Sequence, residues 1–438
     1  MTLRYAFYGD DFTGSTDVLE QLAEGGVDAV LFLHAPSAEL LARFPDVDAI
    51  GIAGDGRSRP PAWMDDNLPA VYAALQDAAI VHYKTCSTFD SSPRHGSIGR
   101  ALDIGLERFG APAAIVVGAP HMGRYVVFGN LFAQAGAEVY RIDRHPTMSR
   151  HPVTPMHEAD LVRHLALQTR CDIALVSLTA LRAGQAVRAF DAAVEAGAAA
   201  VLFDGFDLED LEATGEVLLS RNVRFAVGSS GVTRALVAAW KSRRVPARAP
   251  APADVAEVDR LFVVSGSCSP VTAGQIAKSA GRGFVTERVD VAALLRGETG
   301  EEERLRKTAL AALGAGRSCV LHSADGPLAS DTPPAGERLG EALGRVASDV
   351  IRQTGIRRIV FAGGDTSSHG VTQLGVDALR WAAPLEPGAP LVRSHASDAT
   401  VDGIEMVLKG GQVGGEDFFE RVRRGTAPGV PRRRQGAS

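Results

Sequence analysis

The sequence predicts an α/β protein of two domains, each with a mostly parallel sheet flanked by helices, and three observations carry that reading. Short apolar runs such as "AAIVHYKT", "AAIVVGAP", "DIALVSL" and "AAAVLFDG" alternate with helix-period stretches almost from end to end, as repeated βαβ units do. Each run stops at Gly, Ser, Thr, Asp or Pro, which leaves small polar loops where a ligand can approach the backbone. Between Lys241 and Val258 the chain reads "KSRRVPARAPAPADVAEV", without a periodic apolar face, and then the α/β pattern restarts with "RLFVVSGSCSP". These features predict an N-terminal domain at residues 1–240, a linker at 241–258, a second domain at 259–424 and a solvated basic tail at 425–438.

Composition narrows the function classes. The 46 basic and 52 acidic residues leave a net charge of −6 with no long basic stretch in the folded region, which speaks against nucleic acid as a partner. No apolar run reaches the roughly 18 to 20 residues of a membrane span, and the N-terminus lacks a signal-peptide layout. A cytoplasmic protein acting on a small polar ligand is expected, with a homodimer as a mild preference. The four cysteines (Cys86, Cys171, Cys268, Cys319) are far apart and form no CxxC pair, so reduced thiols and no structural metal are expected.

Four loops of the first domain have the chemistry of a ligand site. In "GDDFTGSTD", Asp10 and Asp11 sit between a strand-like and a helix-like run, with Thr13 and Gly14 behind them. A carboxylate there can orient or deprotonate a substrate hydroxyl; it can equally cap the following helix. "GIAGDGRSRPP" offers Arg57 and Arg59, guanidinium groups suited to a carboxylate. "HYKTCSTFDSSPRHGSIG" packs Lys84, Ser87, Thr88, Asp90, Ser91, Ser92 and Gly96 behind a strand, a composition fit for a polyhydroxylated anion, or for a capped helix start. "GAPHMGRYVVFGN" ends another strand and brings Gly123 and Arg124, and the Pro-rich "HPTMSRHPVTPM" presents His151 as a contact rather than a base.

The second domain is different in kind. "VVSGSCSPVTAGQIA" puts Ser265, Ser267 and Ser269 ahead of a helix, and "VFAGGDTSSHGVTQLG" does the same with Gly363, Gly364, Asp365, Thr366 and Ser367. "VLKGGQVGGEDFF" adds Gly410 and Gly411 beside Lys409. Two phosphate-sized loops in one domain suggest a nucleotide, although neither a GxxxxGK[ST] nor a GxGxxG motif is present. The missing GxGxxG weighs against a dehydrogenase, and paired anion loops weigh against a non-catalytic effector.

Taken in order, "GDDFTGSTD", "YKTCSTFDSS" with "GSIG", "SGSCS", "AGGDTSSHGV" and "LKGGQVGGEDFF" resemble the four-carbon acid sugar kinases, once described as a domain of unknown function. The similarity runs from Tyr5 to about Arg423, and its "CSTFDSS" loop is most similar to the 3-oxo-tetronate kinase branch. The resemblance implies an N-terminal domain that holds the acid sugar, a C-terminal domain that holds ATP with Mg2+, and phosphorylation of a terminal hydroxyl. It assigns Asp10, Asp11, Arg57 and the Lys84-to-Ser92 loop to the substrate, and Ser267, Gly363 to Thr366 and Gly411 to ATP. Asp11 is the expected proton acceptor with Asp10 as its alternative, and Asp365 is a possible outer partner for magnesium. "RHGSIG" and "HPVTPMHEADL" depart from that branch, so 3-oxo-isoapionate and threonate or erythronate stay open as substrates beside 3-oxo-tetronate.

Overall fold

A computed structural model describes residues 3–151, 153–249, 253, 255–297, 299–323 and 336–425. The chain divides into two compact units, Met1–Pro250 and Ala251–Ser438. The sequence-assigned linker is only partly free of regular structure. Its first residues, Lys241 and Ser242, end the helix Ser230–Ser242, and Arg248 and Ala249 donate backbone hydrogen bonds to Gly26 of the first unit. On the other side Ala253 bonds Ala382 and Val258 bonds Arg423, both within the second unit. Of the basic tail, residues 426–438 lie outside the described residues.

The first unit contains β1 (Tyr5–Gly9), β2 (Ala29–Phe32), β3 (Ala49–Ala53), β4 (Ile80–Lys84), β5 (Ala113–Val116), β6 (Arg124–Val127), β7 (Asn130–Ala135), β8 (Glu138–Arg141), β9 (Ile173–Val176), β10 (Ala200–Phe203) and β11 (Phe225–Gly228). Eight of them form a parallel sheet in the order β2-β3-β1-β4-β11-β5-β10-β9. Helices cover its faces, so the inner strands are buried on both sides; β1, "YAFYG", is buried at every position. All parallel strands end on one edge, and β1, β3, β4 and β5 deliver the four loops singled out above to it.

One element is absent from the sequence reading. "GRYVVFGN" continues past its loop into β6, which pairs with β7 and β8 as a small antiparallel sheet. Asp204, buried at the end of β10, anchors it by accepting from the backbone amides of Phe128 (2.7 Å) and Gly129 (2.8 Å) and from Leu178 (2.7 Å).

The second unit contains β12 (Phe262–Ser265), β13 (Val285–Arg288), β14 (Cys319–His322), β15 (Arg358–Ala362), β16 (Val376–Glu386), β17 (Ala389–Ala396) and β18 (Glu405–Lys409). Strands β13-β14-β12-β15-β18 are parallel, and β17 and β16 extend the sheet antiparallel. Val263, Ile276, Val320, Val360, Val407, Phe418 and Phe419 form a core on one face, each burial adding about 1.5–3 kcal/mol. Among the described residues no helix is long and apolar enough to cross a membrane.

Candidate active site

The loop after β1 is stitched to its neighbours through the backbone: Asp10 donates to the Lys84 carbonyl (2.9 Å) and accepts from the Arg57 amide (3.1 Å). Asp10, Arg57 and Lys84 therefore meet although they lie far apart in sequence. Asp11 takes the capping role that the sequence left open, its Oδ1 accepting from the Gly14 amide at 2.6 Å ahead of the helix Phe12–Glu24. Its Oδ2 accepts from Arg57 Nη1 at 3.2 Å, so both carboxylate oxygens are engaged. Asp10 is different: it is buried, and its Oδ1 has no hydrogen-bond partner among the described residues. Burial, with the Asp11 charge beside it, pushes the Asp10 carboxyl up to about 8 against the opposing pull of Arg57 and Lys84.

Arg57 Nη2 binds both oxygens of Asp90 (3.1 and 2.9 Å), so the guanidinium pairs with two carboxylates of the chain. Three neighbouring loops each place one member of the Asp11–Arg57–Asp90 set, and the Coulomb attraction pulls the guanidinium into the middle. Asp90 also accepts from Thr88 Oγ1 (2.5 Å) and Thr154 Oγ1 (2.9 Å). Burial alone would raise the Asp90 carboxyl, but Arg57 and the Thr88 hydroxyl outweigh it and hold the group down to about 2. His151 acts at one remove: its Nδ1 accepts from the Thr154 amide, and Thr154 reaches Asp90.

Lys84 is buried at the end of β4 and donates to the Thr85 carbonyl (2.7 Å). A side chain at position 14 would start 2.6 Å from its Nζ, so Gly14 is what lets the amine lie against the loop after β1. Thr13 stands in the first helical turn, where its carbonyl accepts from Thr16 Oγ1, and Ser87 is buried in the loop after β4. Ser92 is not part of the cluster; its Oγ accepts from the amides of Arg94 and His95 and closes a local turn. Gly123 ends the turn Pro120–Met122 with a left-handed φ of 68° and hands the chain to β6.

In the second unit Ser265 ends β12 with a buried Oγ that has no partner among the described residues, and Ser323, just after β14, has another. Ser267 Oγ accepts from the Ser269 amide, and Ser269 caps the helix Pro270–Ala280 at the Val271 amide (3.2 Å). The helix Gly364–Thr372 starts instead from Gly363, at a φ of 114°, with no side-chain cap, which leaves its first amides open to an anion. Thr366 and Ser367 are buried in its first turns, and Ser367 Oγ donates back to the Phe361 carbonyl. The side chain of Asp365 lies outside the described residues.

The Gly410–Gly411 loop is held from below. Thr272 Oγ1 donates to the Gly411 carbonyl (2.8 Å) and Gln275 Nε2 to the carbonyls of Val413, Gly414 and Gly415. Lys409 Nζ, fully buried, donates to Thr272 Oγ1 at 3.0 Å, and burial pulls its amine down to about 7. Neither Gln275 nor Thr154 was found from sequence; each lies in a segment that reads as ordinary helix or loop. An uncapped helix start, two orphan hydroxyls and a glycine loop are a donor set that fits a polyphosphate. A methyl group on Gly411 would sit 2.6 Å from Ser267 Oγ. Gly411→Ala is expected to raise the KM for ATP roughly tenfold or more by that overlap, with the KM for the acceptor unchanged, in steady-state kinetics.

Residues 5–236 match the family of sugar-binding N-terminal domains, and residues 262–419 match that of nucleotide-binding C-terminal domains. The chain is 44% identical to a 3-oxo-isoapionate kinase from Paraburkholderia graminis, over 98% of this chain and 96% of that protein. It is 32% identical to a 3-oxo-tetronate kinase from Methylobacterium radiotolerans, over 96% and 99%. A crystal structure from Salmonella typhimurium LT2 has a TM-score of 0.78 and 25% identity, covering 97% of this chain and 99% of that one. A DUF1537 protein from Haemophilus influenzae has a TM-score of 0.70, also at 25% identity, over 95% and 99%. With both family models matched and relatives of 44% and 32% identity aligned over nearly the whole chain, the chain belongs to the four-carbon acid sugar kinase family and is an ATP-dependent kinase.

Proposed function

We propose that this kinase phosphorylates a branched 3-oxo acid sugar of the 3-oxo-isoapionate type at its terminal hydroxyl. The observation that carries this reading is the 44% identity to the 3-oxo-isoapionate kinase, against 32% to the 3-oxo-tetronate kinase of Methylobacterium radiotolerans. The "RHGSIG" and "HPVTPMHEADL" segments, which depart from the tetronate branch, fit the same direction. 3-Oxo-tetronate, the substrate expected from the "CSTFDSS" loop, is the second reading.

When bound, ATP would supply the phosphoryl group, and Mg2+ would offset charge on its phosphates. The chain's own work is positioning and proton transfer. Lys84, Thr88 and the Asp11–Arg57–Asp90 set give the acceptor side a fixed framework, while the orphan Oδ1 of Asp10 takes the proton of the attacking hydroxyl. Asp10 is preferred over Asp11 because both oxygens of Asp11 already accept hydrogen bonds. Gly363, Gly364, Thr366, Gly410 and Gly411, with the Ser265–Ser269 loop, hold the nucleotide.

Coupled ADP release with Mg2+ and ATP against 3-oxo-isoapionate, 3-oxo-tetronates, threonate and erythronate tests the proposal. The expected result is a kcat/KM for 3-oxo-isoapionate at least tenfold above the others. A larger value for a 3-oxo-tetronate would move the substrate to the second reading.

A further inference from the structure

On the acceptor side Arg57 is paired with two of the chain's own carboxylates and Lys84 donates to the Thr85 carbonyl. Arg124, at the start of β6, has the opposite character. Its Nη1 donates to the backbone carbonyls of Met122 (3.0 Å), Gly123 (3.2 Å) and Gln134 (3.4 Å), so one corner of the guanidinium is pinned by the small antiparallel sheet. Its Nε is buried without a hydrogen-bond partner, Nη2 makes none, and no acidic side chain pairs with it among the described residues. Nε and Nη2 form the edge through which guanidinium grips a carboxylate with two parallel bonds. A buried donor left unpaired costs about 1–3 kcal/mol, so this edge is preformed at a cost that a ligand can relieve.

Position agrees with chemistry. Arg124 follows β5 on the edge where the parallel strands end, the edge that also carries the loops of Asp10, Arg57 and Lys84. Burial, the larger influence, disfavours the Arg124 charge, as expected for a cation held without a counterion.

We infer that Arg124 binds the carboxylate of the acid sugar through its Nε–Nη2 edge and sets the preference for acids over neutral sugars. The inference rests on the kinase reading above and deepens it. Arg57, in this arrangement, is a positioning residue for Asp11 and Asp90.

The test compares the wild type, Arg124→Gln and Arg124→Lys with the best acid of the panel and with its neutral carboxamide. Loss of a charge-assisted bidentate contact should raise the KM for the acid roughly 10- to 100-fold in Arg124→Gln. The KM for ATP should stay within twofold, and kcat/KM for the carboxamide should be nearly unchanged, because that compound never used the contact. Arg124→Lys should fall between, keeping the charge but not the paired edge. An unchanged acid-to-amide preference in both variants would overturn the inference while leaving the kinase reading intact. If the wild type turns over no acid of the panel, the substrate reading fails, and calorimetry with threonate decides about Arg124. Binding to the wild type that is lost in Arg124→Gln supports the inference, and absence of binding to either protein overturns it.

Discussion

Asp10→Asn is expected to lower kcat by roughly 10²- to 10⁴-fold, the range a general base supplies, while ATP affinity measured by calorimetry stays at the wild-type value. The amide fills the same space but cannot take a proton. The pH profile separates this from a steric defect. A base works in its ionised form, and the free-enzyme Asp10 carboxyl is pushed up to about 8. Wild-type kcat/KM should therefore rise about tenfold per pH unit toward 8 and level off above it, and the variant should lack that limb. Stability should move the other way. The folded carboxyl lies above its unfolded value of about 3.9, so the wild type loses stability as pH rises from about 4 through 8. Asn carries no charge at any of these values, so the variant should melt a few degrees higher at pH 8 and not at pH 4. An Asp10→Asn protein with turnover within a few-fold of wild type would return the proton-acceptor role to Asp11.

The second large effect is expected at Arg57. Arg57→Ala removes the cation that bridges Asp11 and Asp90 and leaves the fully buried Asp90 side chain with the Thr88 and Thr154 hydroxyls. Breaking such a set costs about 2–4 kcal/mol, discounted for the partial exposure of the arginine, and kcat/KM should fall at least 100-fold as the acceptor loops lose their common anchor. The sign with pH is again definite. Asp90 is held down to about 2, below its unfolded value, so its contribution is complete above about pH 4 and fades as pH falls toward 2. Urea melts should show the full deficit of Arg57→Ala at pH 7 and a much smaller one at pH 3. Equal deficits at the two values would mean that the arginine acts by packing rather than by charge.

The fold was legible because parallel strands buried on both faces leave a plain trace: β1 as "YAFYG", β15 as "RIVFA" and β18 as "EMVLK" each stand out as apolar runs ended by small residues. The small antiparallel sheet was not legible, because β6 and β7 alternate only weakly and follow a Gly-rich turn that reads as a loop. Within the site, residue types were visible but their pairing was not. Arg57 and Asp90 are 33 positions apart, and nothing local distinguishes an arginine that will meet two internal carboxylates from one that will meet a ligand. Asp10 and Asp11 were inseparable for a related reason. Adjacent residues at a helix start point different ways, and only the three-dimensional stitching to Lys84 and Arg57 decides which becomes the cap and which is left with an unpaired oxygen.

The placement of β11 has a consequence for how the chain is made. It lies between β4 and β5, hydrogen-bonded to both, yet it is the last strand of the first unit to be synthesised. Until Phe225–Gly228 has left the ribosome, β4 and β5 have no partner on their facing sides, and two part-sheets expose unpaired backbone to whatever is near. At about 5–20 residues per second that interval lasts several seconds beyond the emergence of β5. The nascent protein must therefore pass through a stage in which its acceptor loops are already translated but their platform is split down the middle. Fragments ending before β11 are then aggregation hazards rather than smaller sugar-binding domains.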